Sequence, residues 1–454
     1  MFAVLILFPA FVNAQESPDP SSLAPDRSTR QAQEPDWLLP AVGPERAIDL
    51  AEALDLAHRQ SIEGRRAAAQ TRIAEDEARE SRVTWIPSID ASVGASQTDG
   101  QVQGSFGDFQ GVDFSSTAPF ARVGFALNPF ETWQTVAAAT ERAGGVAADE
   151  AAVRRTVDVR VAELYYELAR ERAAVRVERA AVQEARDFVR IAEVLLRNGM
   201  GRGDDAARAR AQLADAEGRQ IAAERRFQIA SVNLATALNL DPLVRLVPRG
   251  DLSASMAEVQ PLLTSSVDTL VRQALEWRPE VRAERQRVEA ARKERGAARW
   301  RVASPTFEAF YQRGFTGVSY ANLGDLSRYG VAATWTVSAA NMQRVRTAGD
   351  RVRESSLALE QATQQVRADV ISAWTDVQAA AARREKARTG REAAEGALRI
   401  SQVRFRNGTS LAVEVLEAQR ALDQARLAEV EAQADAAQAA ARLRAELGPL
   451  TSDK

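Results

Sequence analysis

The sequence predicts a mainly α-helical chain with a small β part, built as one long helical hairpin made twice. Three observations predict it. First, a turn interrupts a long helical pattern at Arg197-Asn198-Gly199-Met200 and again at Arg406-Asn407-Gly408-Thr409, 209 residues later (408 − 199). Asn and Gly tolerate left-handed backbone angles, so this pair reverses a chain with little strain. Second, alanines recur every seven residues after each turn. The first set is Ala209, Ala216, Ala223, Ala230 and Ala237; shifted by 209 it becomes Ala418, Ala425, Ala432 and Ala439, then fails at Glu446. Leu213 maps onto Leu422 by the same shift. A seven-residue apolar repeat winds helices into a left-handed supercoil, and alanine in that position draws their axes close. Third, each half carries two stretches of apolar-polar alternation, the period of a strand.

Composition narrows the function. The chain has 454 residues and a formal net charge of −3, so no polybasic character points to nucleic acid. Without Cys, disulfides, thiolate metal sites, Cys nucleophiles and a lipoprotein anchor are excluded. One His (His58) and four Met do not make a metal site within one chain, and they argue against metal as the cargo. His58 reads as an ordinary surface or packing residue. No nucleophile, metal or phosphate-binding constellation is present, so the chain reads as a non-enzyme without catalytic residues or cofactors.

In chain order, residues 1–14 carry an apolar run from Phe2 to Val12 that ends in Val12-Asn13-Ala14. This has the form of an export signal, though no basic segment precedes it. The run is too short to span a membrane as a helix, and no other stretch is a spanning helix. Any membrane insertion must therefore be by strands. Residues 15–44, rich in Pro, Ser, Gln and acids, read as a disordered leader.

The first repeat covers 45–242. A helical pattern runs from Glu45 to Arg82, with Ile48, Ala51, Leu54, Ala57 and Ile62 on its apolar positions, and stops at Trp85-Ile86-Pro87. A strand pair is predicted over 88–127: Ile89, Ala91, Val93 and Ala95 alternate with polar residues, 100–114 reads as a Gly-rich loop, and Ala121, Val123, Phe125 and Leu127 alternate again. The helix over 131–196 is broken only by Gly144-Gly145. Mid-helix glycines cost about 1 kcal/mol each relative to Ala, and here they mark either a close helix approach or simple drift. The tip at 198–203 leads into a return helix from Asp204 to about Asn239, stopped by Asp241-Pro242. Residues 243–266 read as an irregular connector.

The second repeat covers 267–448, with 449–454 as a tail. Its first helix (267–301) contains Arg278-Pro279-Glu280 and stops before Pro305. The strand pair at 305–338 has Phe307, Ala309 and Tyr311 in one alternation, a loop at 314–325, and Val331, Ala333, Trp335 and Val337 in the other. The second long helix is 341–406, its tip 406–409, and its return 410–447.

The lengths fit together. The two long helices of about 66 residues would each reach roughly 100 Å. Laid end to end, the return helix (204–239) and the helix at 267–301 match one of them. The N-terminal helix and the last return helix match the other. All strands then lie at the end opposite the Asn-Gly turns. Each strand has about ten residues, enough to cross a membrane, but four strands are too few to close a barrel. Several copies would have to share one.

Two segments now carry a resemblance. Ala274-Leu275-Glu276-Trp277-Arg278-Pro279-Glu280-Val281 is similar to an Arg-Pro-Glu segment of the outer membrane efflux protein family, the TolC-like channels. Phe405-Arg406-Asn407-Gly408-Thr409-Ser410-Leu411-Ala412-Val413-Glu414-Val415-Leu416-Glu417 resembles the second hairpin tip of that family, and the terminal Leu447-Gly448 fits as well. The resemblance covers 45–448. It implies a homotrimer in the outer membrane, with four strands per chain in one twelve-stranded β-barrel and the helices as an α-barrel in the periplasm. It also implies the exit duct of a tripartite efflux pump or type I secretion system, joined to an inner membrane pump by a periplasmic adaptor. The alternative is a periplasm-spanning helical scaffold or adaptor that is not a channel. By position, Glu414 and Glu417 would form acidic rings at the pore gate; on physical grounds alone they also suit a helix N-terminus. The family's gate joins an aromatic hydroxyl to an acid. Here Phe405 has no hydroxyl, leaving Asp205 without that bond, and Ser410 stands where a basic gate residue is expected. Asn198, Gly199, Met200, Asn407, Gly408 and Thr409 match the adaptor-contact tips, or are plain tight turns. Trp85, Trp133, Trp300 and Trp335 at the strand-helix borders suit interfacial anchors or local packing.

Overall fold

The computed structural model describes residues 43–103, 105–199, 202–250, 252 and 265–450. The expected signal (1–14), nearly all of the leader, Met200 and most of the connector lie outside them. The elements in order are β1 (Glu45–Ile48), α1 (Leu50–Gln60), α2 (Ile62–Val83), β2 (Ser88–Gln103), β3 (Phe109–Leu127), α3 (Pro129–Arg197) and α4 (Gly203–Ala237). There follow β4 (Arg245–Pro248), α5 (Val267–Trp277), α6 (Pro279–Ala303), β5 (Thr306–Ser319), β6 (Asn322–Thr334), α7 (Ala339–Arg406) and α8 (Ala412–Leu447).

The helices start and stop where local chemistry directs. Asn128 caps α3 by accepting from the Glu131 N–H at 3.2 Å, and Pro129 occupies the first helical position, where its missing N–H costs nothing. The same Asn128 reaches across to the end of α6, donating to the Ser304 carbonyl at 3.0 Å and accepting from the Ser304 hydroxyl at 2.7 Å. This buried exchange clamps the two repeats together where helices give way to strands. Asp49 caps α1 and Ser61 caps α2, so the N-terminal pattern read as one helix is two. Likewise the pattern at 267–301 breaks at Arg278, because Pro279 lacks the N–H that a continuous helix would need.

Three expectations are corrected. The first concerns the start and the connector. Glu45–Ile48 is a strand, paired in parallel with Arg245–Pro248 inside the segment read as irregular. Ile48 and Leu246 are fully buried there, against Leu54, Phe227 and Leu234. Four-residue strands are too short to show a period. The second concerns the loops. β2 and β3 pair as far as Gln103 and Phe109, and β5 and β6 as far as Ser319 and Asn322, so most of 100–114 and 314–325 is strand, while the last strand stops at Thr334. In the distal ribbon apolar and polar residues stand opposite one another, as Phe114 opposite Thr98 and Phe315 opposite Asp325, which blurs the alternation that marks a half-buried strand.

The third correction concerns which helices stack. Among the long helices α2 packs against α3, and α4 packs chiefly against α3 with a small contact to α8, whereas α6 and α8 pack extensively against both α3 and α7. The end of α8 meets the start of α6 directly: Gln273 donates to the Leu447 carbonyl at 3.3 Å, and Arg278 pairs with Glu446. The end of α4 reaches the start of α2, where Asn233, Thr236 and Asn239 line one cleft with Ser61, Ile62 and Glu63. So α8 continues into α6, and α4 into α2. The lengths allowed either pairing, since α2 and α6 have 22 and 25 residues. Slot position also explains the alanines. α4 buries one seven-residue stripe (Ala209, Ala216, Ala223, Ala230), but the upper half of α8, enclosed on two sides, buries Ala434, Ala436, Ala437, Ala440 and Ala441 as well.

Gly144 resolves as a close approach. A Cβ there would lie 2.8 Å from Gln286 Oε1 on α6. The four long strands form one antiparallel sheet in the order β2-β3-β5-β6. In register, Ile89, Val123, Tyr311 and Tyr329 share one face, and Asp90, Arg122, Gln312 and Arg328 the other. The apolar face is bare: Ile89 is 77% exposed, Tyr329 84% and Val331 87%. No described helix is long and apolar enough to cross a membrane.

Candidate functional site

Both hairpins turn by the same backbone device. Gly199 and Gly408 have φ of 71° and 72°, the left-handed region where a Cβ would be strained. The Gly408 N–H donates to the Phe405 carbonyl at 3.0 Å and the Thr409 N–H to the Arg404 carbonyl at 2.9 Å. These are the two bonds of a Schellman cap, and they satisfy carbonyls that the end of α7 would leave open. At the first tip the Gly199 N–H donates to Leu196 at 3.1 Å in the same way. Asn198, Gly199, Asn407, Gly408 and Thr409 are all exposed, and no heavy atom lies within 4 Å of a Cβ built on either glycine. Met200 lies outside the described residues.

The two tips sit side by side. A small core of Phe188, Ala192, Ala206, Ala209, Leu398, Ala412, Val415 and Leu416 joins α3, α4, α7 and α8 just above the turns. Phe405 belongs to it: its ring packs on Phe188 with centroids 5.4 Å apart. An aromatic without a hydroxyl at this position thus works as inter-hairpin packing. Asp205 is half-buried at the start of α4, and its carboxylate has no hydrogen bond or ion pair among the described residues. Its neighbour Asp204 pairs with Arg202 at 3.3 Å and Arg208 at 3.7 Å. Glu414 and Glu417 are both exposed, one turn apart on the same face of α8. Ser410 donates to Glu414 Oε2 at 2.9 Å, so a hydroxyl steadies the acid where a cation was expected.

Sequence reading missed the charged layer above the tips. Arg219 on α4 reaches Glu178 on α3 at 3.1 Å and Asp423 on α8 at 3.0 Å, and also pairs with Asp215. Arg426 on α8 pairs with Glu184 on α3 at 2.8 Å, and Arg420 donates to Gln212 at 2.8 Å. Four carboxylates (Glu178, Glu184, Asp215, Asp423) thus share two guanidinium groups. Glu178 is 2% exposed, and Glu184 Oε2 is buried without a hydrogen-bond partner. Burial raises the Asp423 pKa most; Arg219 opposes it, and the charges of Glu184 and Glu178 add to it, so it is pushed up to about 6. Partners 204 residues apart (423 − 219) leave no signal in sequence spacing.

A second layer lies at the junction of α8 with α6. Arg278, 3% exposed, bonds Glu280 at 2.8 Å, contacts Asp369 at 3.5 Å and pairs with Glu446. Arg155 of α3 bonds Glu280 at 2.9 Å and Glu446 at 3.2 Å. Burial disfavours the Glu280 charge, but the hydrogen bond from Arg278 and the charges of Arg155 and Arg278 outweigh it and hold the pKa below the usual value. Here the alanine series fails for a reason, because Glu446 is the partner of the Arg-Pro-Glu segment. At the junction of α4 with α2, His58 and Asp158 lie 2.6 Å apart, a bond that raises the His58 pKa. His58 is thus an ion-pair partner that couples α1 to α3. Of the four border tryptophans, Trp300 stacks on Phe130 at 4.6 Å, Trp335 donates to the Val302 carbonyl at 2.8 Å, and Trp133 is 60% exposed. No group of three or more His, Asp or Glu among the described residues could hold a metal.

The profile of the outer membrane efflux protein family matches residues 54–240 and 270–449. No curated protein matches significantly by sequence. The outer membrane protein VceC of Vibrio cholerae is similar in structure, with 20% identity, a TM-score of 0.73, and coverage of 88% of this chain and 97% of that one. The MtrE outer membrane channel of Neisseria gonorrhoeae, in its open state, has 20% identity, a TM-score of 0.73 and 88% coverage of both chains. The CmeC outer membrane channel of Campylobacter jejuni has 15% identity, a TM-score of 0.73, and coverage of 88% of this chain and 85% of that one. At these identities the likeness speaks to the fold.

Proposed function

This chain belongs to the outer membrane efflux protein family, and we propose that three copies of it form a passive exit duct of a tripartite efflux pump or type I secretion system. Its place is the outer membrane, with the helices reaching into the periplasm, and its role is that of an efflux channel.

The observation that carries the reading is a pair of uncovered edges. Among the described residues β2 and β6 each leave one side of the sheet unpaired. In a bilayer no water satisfies those groups, so the edges must meet other strands. The helical layer has matching open sides. α7 buries only 8 of its 68 residues, against 22 of 69 in α3, and leaves Leu357, Ile371, Ile400 and Val403 exposed. α2 and α4 leave Ile62, Ile73, Ile229 and Val232 exposed on the other side. A head-to-tail contact between these two different edges closes into a ring. Three copies supply twelve strands and a tunnel whose long helices of 69 and 68 residues reach about 100 Å.

Glu414 and Glu417, repeated three times around such an axis, give rings of carboxylates that favour cations. The exposed Asn-Gly tips are the surface for a periplasmic adaptor, which links the duct to an inner membrane pump that supplies the energy. The deciding experiment is planar-bilayer conductance of the detergent-extracted protein, with its mass measured in the same detergent. Discrete cation-selective steps from a trimer support the reading. A monomer that stays soluble without detergent and never conducts refutes it.

A further inference from the structure

A groove of about 370 Å³ lies just beyond the strands, between α3, α6 and α7. Four arginines from all three helices line it: Arg142, Arg301, Arg344 and Arg351. Arg142 is paired with Glu294, and Arg301 Nε donates to Glu131 at 2.6 Å. Among the described residues the other two pair with no carboxylate. Arg344 donates only to the neutral Asn341 Oδ1 at 3.1 Å, and Arg351 has no hydrogen bond or ion pair among the described residues. Four guanidinium groups against two carboxylates leave the groove at +2 (4 − 2), in a chain whose net charge is −3. Beside Glu294, the rest of the lining is small, alanines and the two threonines Thr135 and Thr347, so no bulky side chain fills the space.

We propose that this groove is a binding site for a phosphate-bearing anion, held by Arg344 and Arg351 with Arg142 and Arg301 beside them. Guanidinium groups present paired N–H donors that match phosphate oxygens, and two of the four have that capacity unused. The volume is of the size that holds a small organic ligand, about 300 Å³ or more. The position favours a solute in transit. Trp133 and Arg142 are nine residues apart on α3, which at about 100° per residue sets them on opposite faces. Trp133 and Phe130 are exposed on the aromatic side, which suits the membrane rim, so the arginines face the duct axis. The inference rests on the duct reading only for the side from which the ligand arrives.

The test uses the full chain in nanodiscs of phosphatidylcholine, with glucose 6-phosphate as the soluble probe and glucose as the uncharged control, read by isothermal titration calorimetry. A second arm measures phosphatidylglycerol retained after extraction from mixed nanodiscs. Wild type is expected to bind glucose 6-phosphate and not glucose. R344Q/R351Q should weaken that binding by about tenfold or more, the loss expected of charge-assisted hydrogen bonds. R344K/R351K should fall between, because lysine keeps the charge without the fork. Retention of phosphatidylglycerol alone, lost in R344Q/R351Q, keeps the phosphate site and assigns its source to lipid. Binding of neither probe, or equal binding by wild type and R344Q/R351Q, overturns the proposal. Binding is read without conduction, so a protein that conducts but binds neither probe refutes only this site.

Discussion

Replacing Asp423 by Asn should remove a large part of the pH dependence of stability in the helical layer. Asp423 sits among Glu178 and Glu184 of α3, Arg219 of α4 and Arg426 of its own helix. Its pKa rises from 3.8 to about 6 on folding. The folded state therefore disfavours its charge. No cost remains below the unfolded pKa; the stability is lost as pH rises through about 6. A shift of about 2 units corresponds to about 3 kcal/mol at most. His58 acts in the same direction, because its pKa is also raised, so its pairing with Asp158 is lost as pH rises. Glu280 acts in the opposite direction, since its pKa is lowered, but only below the ordinary carboxylate range. From about pH 5 to pH 8, then, wild type should grow less stable. Asp423→Asn keeps an acceptor for Arg219 but removes the charge. It should match wild type only below about pH 4, exceed it by about half of the full cost near pH 5, and exceed it by up to about 3 kcal/mol near pH 8, the attraction to Arg219 being already contained in the net shift. Guanidinium unfolding of detergent-solubilised protein, followed by far-ultraviolet circular dichroism, reads the difference. Adding His58→Gln should flatten what remains. An unchanged slope in Asp423→Asn, or a variant weaker than wild type near pH 8, would refute the argument from burial and crowded carboxylates.

The remaining predictions concern the α8–α6 junction, the gate and the tips. Arg278→Ala leaves Glu280 and Glu446 sharing the single guanidinium of Arg155, and should cost about 1.5–3 kcal/mol in the same unfolding assay; a loss below about 1 kcal/mol would mean that Arg155 and water replace what Arg278 supplies. Replacing both Glu414 and Glu417 by Ala should weaken cation preference and block by multivalent cations in planar bilayers, and unchanged selectivity would remove them from the pore. A bulky residue at Gly199 or Gly408 meets nothing in its own chain but must adopt a left-handed backbone, so it should cost about 1 kcal/mol of stability and leave trimers intact. Drug resistance in cells should nonetheless be lost, and full resistance in both variants would count against the tips as contacts.

The sequence by itself determined what is local. A left-handed glycine after Asn198 and Asn407 is a property of a few neighbouring residues, so both tips were legible, as were the long helices between the breakers. Repetition at an offset of 209 revealed the two hairpins, and alternation revealed the four strands wherever one face is apolar. Tertiary structure decided what depends on partners far apart in the chain. Whether α8 continues into α6 or into the N-terminal helices is not a matter of length, and only contact between Glu446 and Arg278 settles it. Phe405 could have faced a gate acid, but packing of the two hairpins turns it onto Phe188. The meaning of Gly144 awaited Gln286 on another helix. The charged layer of Glu178, Arg219 and Asp423 joins three helices, and a carboxylate acquires a raised pKa only when folding removes its water and brings other carboxylates beside it. Periodicity reports which face of an element is buried; it carries no record of which element buries it.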